Sequence, residues 1–237
     1  MKTKLDLITK YISNRIREKY PEFIQFTIEI NKESLYLEHR TLGFSRRLFV
    51  GLGVISYPES MIVSGGYQCW VEVSEVEEIL HNLKIKHNIH YQELNPTIWF
   101  DTFTDSKCDE VWDSFKKYRD IDLATNPDVL DALCDHYIEV IGKHFIPFWE
   151  KYSNLQYIND EIIDKVDQRN LYHYFGVGLN HFKKLIIMKL CKNTQYLAYK
   201  EWLLASFEAD LKEPNVDAEI VAEYSLFKEL IQILENK

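Results

Sequence analysis

A change of hydrophobic period constrains this chain more than any other feature. Between about residues 23 and 73, apolar side chains recur at every second position. Before and after that stretch they recur at intervals of three and four. Period two places alternate side chains on opposite faces of a strand, whereas period 3.6 lines one face of a helix. The sequence therefore specifies a sheet early in the chain, preceded by one helix and followed by many.

The strands are read as follows. Phe26, Ile28 and Ile30 alternate with Gln25, Thr27 and Glu29, which describes a half-buried strand. Asn31–Ser34 reads as a turn, and Leu35-Tyr36-Leu37-Glu38-His39 alternates again. A third strand runs from Phe44 to Ser56, and Tyr57-Pro58-Glu59-Ser60 breaks it. Met61-Ile62-Val63 and Tyr67–Val73 flank Ser64-Gly65-Gly66, which reads as a hairpin because glycine takes positive φ freely. A short further strand is placed at Thr97–Phe103, after Pro96. Sequential strands joined by short turns imply an antiparallel meander.

The helices announce themselves by stripe and cap. In residues 3–19, Leu5, Ile8, Ile12 and Ile16 share a face, Thr3 is the expected N-cap and Pro21 the stop. Ser74 and Glu77 form the S-x-x-E pattern of a capping box, ahead of the stripe Val76, Ile79, Leu80 and Leu83. Residues 105–119 place Cys108, Val111, Trp112, Phe115 and Tyr118 on one side. Asn126-Pro127 opens a helix expected to reach Phe145, where Pro147 ends or kinks it. Shorter helical signals follow at Asp160–Asp167, then at about 180–192, 194–211 and 217–235, with Thr194 and Asp217 as caps. The first of these last three is apolar almost all round and is expected to be central.

The fold class is α+β: an N-terminal helix and an antiparallel sheet of about five strands with one or two helices, followed by an all-helical C-terminal half. Asp120–Asn126 is the best boundary, dividing a sheet-containing region 1–120 from a helical region 121–237 unless the two form one continuous domain.

Composition narrows the function classes. At 46% hydrophobic residues the chain of 237 is too apolar to be disordered. Cys69, Cys108, Cys134 and Cys191 are too few for a disulfide scaffold and too far apart for a metal knuckle, so they read as buried thiols of a cytoplasmic protein. The first twenty residues interleave charged and apolar side chains, unlike a secretory signal, and no run is long enough to span a membrane. With 28 basic and 37 acidic groups the formal charge is −9, which argues against general nucleic-acid binding. Residues 1–119 hold 16 basic and 17 acidic groups, whereas residues 120–237 hold 12 and 20, so the excess lies almost wholly in the second half.

Motifs for catalysis are absent. Gly51-Leu52-Gly53 lies inside an apolar strand, and Gly176-Val177-Gly178 has no βαβ unit before it, so neither fits a phosphate loop. His87, His90 and Glu93 have ligand-like spacing, but they follow the end of a helix and lack a fourth ligand; we read them as loop residues and expect no metal and no cofactor. On the helix from Pro127, Leu130, Leu133, Cys134, Tyr137, Ile141, His144 and Phe145 fall on one face, and His144 reads as a core histidine. Asp128, Asp131, Asp135 and Glu139 cluster on the opposite face. That acidic face is the candidate surface for a basic protein partner, since charge complementarity speeds association and selects partners. Tyr172, His173, Tyr174 and His181 are the candidate wall of a small pocket.

The expectation is a non-enzymatic protein-binding module, immunity-like or regulatory, using an acidic helical surface. The alternative is a hydrolase-like enzyme built from His173, His181 and the acids of Asp128–Asp135. The coarse layout is similar to that of small acidic bacterial immunity and uncharacterised cytosolic proteins, a likeness of layout that no motif carries.

Overall fold

The computed structural model describes residues 2–26, 35–55, 60–87, 96–101, 104–175 and 179–236, with side chains from residue 4 onward. The chain forms a helix, a five-stranded antiparallel sheet and a mostly helical second half, the α+β class that its periodicity dictates. It divides into two compact units: residues 1–72 with 98–153, and residues 73–97 with 154–237. The compositional boundary at Asp120–Asn126 falls inside the first unit.

The first unit begins with α1 (Lys2–Lys19), which starts one residue before the expected cap Thr3. Its stripe Leu5, Ile8, Ile12 and Ile16 is buried, and Ile12 and Ile16 are wholly enclosed. Each such side chain contributes about 2 kcal/mol by leaving water. The sheet follows in chain order, β1 (Ile24–Phe26), β2 (Leu35–Thr41), β3 (Phe44–Ile55), β4 (Met61–Val73) and β5 (Ile98–Trp99). Register pairs Leu37 with Leu48 and Glu38 with Arg47. The continuation of the first strand through Ile28 and Ile30 and the turn at Asn31–Ser34 lie outside the described residues, as do residues 56–59.

One strand expectation is overturned. Ser64-Gly65-Gly66 does not reverse the chain; Met61–Val73 is a single strand. Gly66 takes φ +87° within it, and a Cβ on Gly51 of β3 would stand 3.0 Å from the Gly65 carbonyl carbon. The glycines thus serve a close approach of two backbones, which keeps β3 and β4 neighbours along this length. The Tyr137 hydroxyl donates to the Gly66 carbonyl at 2.6 Å.

The helical layer of this unit is α3 (Cys108–Ser114), a 3₁₀ turn at Lys116–Tyr118, α4 (Pro127–Val140) and α5 (Ile146–Tyr152). Pro127 occupies the first turn of α4 as expected. Pro147 does not end the helix. A π turn at Ile141–Phe145 joins α4 to α5, a local widening next to the residue that has no N–H to donate. The core is aromatic: Phe23 and Trp149 (ring centroids 5.3 Å), Tyr67 and Phe145 (4.9 Å), and Phe100 and Phe148 (5.3 Å). Trp149 Nε1 donates to the Trp70 carbonyl at 3.1 Å, tying α5 to β4.

The second unit contains α2 (Ser74–Lys86), α6 (Leu155–Ile158), α7 (Tyr172–Phe175), α8 (Asn180–Leu190), α9 (Tyr196–Asp210) and α10 (Ala218–Glu235). The capping box at α2 is not formed: Ser74 is already helical and Val73 holds the cap position. Glu77 is buried instead, accepting from Thr97 Oγ1 at 2.7 Å. Thr194 does not cap α9, which has Gln195 at that position. Asp217 caps α10 as expected, accepting from the Glu219 N–H at 2.9 Å. α8 is buried from Phe182 to Met188, and α2, α9 and α10 pack around it.

Candidate functional site

The acidic residues of α4 serve two different environments. Asp131 accepts a hydrogen bond from the Tyr11 hydroxyl, and Asp135 forms an ion pair with Arg15 at 2.7 Å. Both donors lie on α1, four residues apart, so one helix face of α1 meets one edge of α4. The bond to Asp131 raises the Tyr11 hydroxyl pKa, and the bond to Asp135 raises that of the Arg15 guanidinium. Asp128, in the first turn of α4, is exposed and has no ion-pair partner among the described residues.

Glu139 turns to the other edge, into a groove between α3 and α4 of about 190 Å³. Glu110 and Ser114 of α3, with His136, Lys143 and His144, complete its walls. Glu139 and Glu110 are exposed, so the groove carries two carboxylates against the one ammonium of Lys143. Its histidines add no positive charge near neutral pH. Burial and the nearby Lys117 hold His136 below the usual histidine range; burial and Lys143 do the same for His144. His144 is thus a half-buried wall of the groove, not the core residue its position on the apolar stripe implies.

Inside the groove Ser114 Oγ stands 2.7 Å from His136 Nε2 and 2.6 Å from the Val111 carbonyl. A carbonyl only accepts, and serine has one proton. Ser114 therefore donates to Val111, and His136 donates its Nε2 proton to Ser114. A nucleophilic serine needs the opposite direction, with the ring nitrogen taking the hydroxyl proton. The pair is a clasp between α3 and α4, and the ring of His136 is held against Phe115 with centroids 4.6 Å apart.

The aromatic stretch lies in the second unit. Tyr172 and His181 line one cavity of about 330 Å³ with Gln168, Arg169 and Leu179. His173 and Tyr174 are half-buried and are not among its lining residues; the ring of His173 sits 3.7 Å from that of Tyr172. His181 Nδ1 lies 2.8 Å from the Tyr199 hydroxyl and 2.5 Å from Gln168 Nε2. Desolvation by these neighbours, then Lys184, lowers its pKa. Sequence reasoning misses Gln168, Tyr199 and Trp202 as neighbours of His181. The one local signal is the i, i+3 spacing of Tyr199 and Trp202, whose rings stack at 5.4 Å. His173 and His181 belong to one unit, and Asp128, Asp131 and Asp135 to the other.

The remaining candidates carry less. His87 Nε2 bonds Glu229 at 3.0 Å, while His90, Glu93 and Gly176–Gly178 lie outside the described residues. Among the described residues no three His, Cys, Asp or Glu side chains are placed to hold a metal. All four cysteines are free; Cys69 and Cys134 are buried, Cys108 and Cys191 half-buried. Burial pushes Cys134 up to about 12 and Cys108 and Cys191 to about 11, so these thiols stay protonated at neutral pH. Among the described residues no helix is long and apolar enough to cross a membrane. No family model, curated protein or solved structure matches the chain.

Proposed function

We propose that the protein is a non-enzymatic binding module that takes a basic protein partner on the α3–α4 groove and the adjoining acidic surface of α4. The observation that carries this reading is the pairing of Glu110 and Glu139 across one groove, with no ion-pair partner for either among the described residues. Asp131 and Asp135 are engaged by α1, so the surface open to a partner centres on Glu139 and Glu110 and reaches Asp128. A partner's arginine or lysine entering this groove meets two carboxylates, the single ammonium of Lys143 and two histidines. The direction of the Ser114–His136 bond supports binding over catalysis. Neutralising a basic toxin is one form such a role takes, and regulation of a basic protein is another.

The test is fluorescence anisotropy of a labelled arginine-rich peptide against the full chain. We expect saturable binding whose association rate falls steeply between low and physiological salt, because exposed charges are screened beyond about 8–10 Å. An absence of saturable binding at low salt contradicts the proposal.

A further inference from the structure

We propose that the second unit carries a separate site for a small amphiphile, an apolar chain ending in a carboxylate. The site is a cavity of about 540 Å³ where the end of α8, the start of α9 and the end of α10 meet. That volume is within the range of about 300–1,000 Å³ usual for small-molecule sites. Met188, Leu190 and Leu197 supply apolar lining, and Leu197 is 61% exposed at its edge.

The lysines give the ligand its charge. Lys189 and Lys192 both line the cavity. Lys189 lies 5.5 Å from the centroid of the Tyr196 ring, and Lys192 has no ion-pair partner among the described residues. The one carboxylate in the lining, Glu235, is paired with Lys200 at 2.7 Å, and that partner holds it below the usual carboxylate range. The cavity therefore has cationic groups in excess. Tyr196 also lines the cavity and is only 7% exposed; its hydroxyl oxygen is itself closed off from solvent, so the residue meets a ligand as apolar lining. An apolar floor and two lysines together fit a chain with an anionic head rather than a neutral or cationic one.

The experiment is calorimetric titration of the full chain with sodium dodecanoate below its micelle concentration. We expect saturable one-to-one binding, with dodecyltrimethylammonium, the same tail with the opposite charge, at least about tenfold weaker. Leu197→Asp alters an exposed position and is expected to abolish binding while leaving the circular dichroism spectrum unchanged. Lys189→Gln with Lys192→Gln is expected to weaken it at least about fivefold. Equal affinity for the two head groups overturns the proposal. So does dodecanoate binding that survives Leu197→Asp, or an absence of saturable binding. Sedimentation with phosphatidylglycerol vesicles without dodecanoate binding also overturns it, because the lysines then serve a bilayer surface.

Discussion

The ammonium of Lys183 stands 3.3 Å from a carboxylate oxygen of Glu77, with the two side chains 2% and 6% exposed. Lys183 also donates to the carbonyls of Pro96 at 2.5 Å and Phe175 at 3.3 Å. α8 and α2 are thus joined through charges removed from water. Such a pair offsets its own desolvation only while both partners are present. Lys183→Met is expected to destabilise the protein by about 3–5 kcal/mol, because it leaves the Glu77 carboxylate buried without its ammonium. Urea unfolding measures this. Adding Glu77→Leu to Lys183→Met is expected to recover part of the loss. A single-variant cost below about 1 kcal/mol, the range of an exposed pair, contradicts the account.

Gly66 makes a second test. Its φ of +87° disfavours any side chain, and a Cβ there would stand 2.8 Å from Trp112 Cζ3. Gly66→Ala is expected to cost about 2 kcal/mol and lower Tm by about 4–8 °C. Gly43 has φ +80°, and a Cβ there would meet nothing within 4 Å. Gly43→Ala therefore carries the backbone strain alone and is expected to cost about half as much. Equal losses at the two positions contradict the close packing of β4 against Trp112.

Stability is expected to fall on mild acidification. Burial lowers the pKa of His136, and those of His39, His144 and His181 move the same way for the same first cause. Below about pH 6.5 the unfolded chain takes up protons that the folded chain resists, so unfolding is favoured. The stabilisation is complete above that pH and is lost as pH falls toward the folded-state values. Urea unfolding from pH 7.5 to 5.5 checks the sign. His136→Gln keeps an N–H donor for Ser114 and removes the titration, so it is expected to flatten part of the slope. An unchanged slope contradicts the assignment to His136. In the wild-type protein, ring ¹⁵N shifts at neutral pH are expected to place the proton of His136 on Nε2.

Period and capping make much of the fold legible in the sequence. The stripe of α1, the alternation of β2 and β3, Pro127 at the start of α4 and the Asp217 cap of α10 all act within a few residues. Signals whose meaning depends on a distant partner mislead. The Gly65-Gly66 step looks like a turn until Gly51 is placed against it, and Ser74-x-x-Glu77 looks like a capping box until Lys183 and Thr97 draw Glu77 inward. The same holds for the candidate site. The acids on one face of α4 read together as a surface for a basic partner, and nothing local says that Tyr11 and Arg15, 120 residues earlier, take Asp131 and Asp135. Ser114 and His136 lie on separate helices 22 residues apart, a spacing with no signature in sequence.

The most direct test of the proposed function compares two pairs of neutral substitutions by anisotropy with the arginine-rich peptide. Glu110→Gln with Glu139→Gln removes the groove carboxylates, and Asp131→Asn with Asp135→Asn removes those held by α1. The first pair is expected to weaken binding at least about tenfold and to reduce its salt dependence, with little change in unfolding midpoint. The second is expected to leave binding within about twofold and to lower the unfolding midpoint slightly through loss of the contacts to α1. Binding that is insensitive to the groove pair, or that is lost with the α1-facing pair instead, contradicts the account.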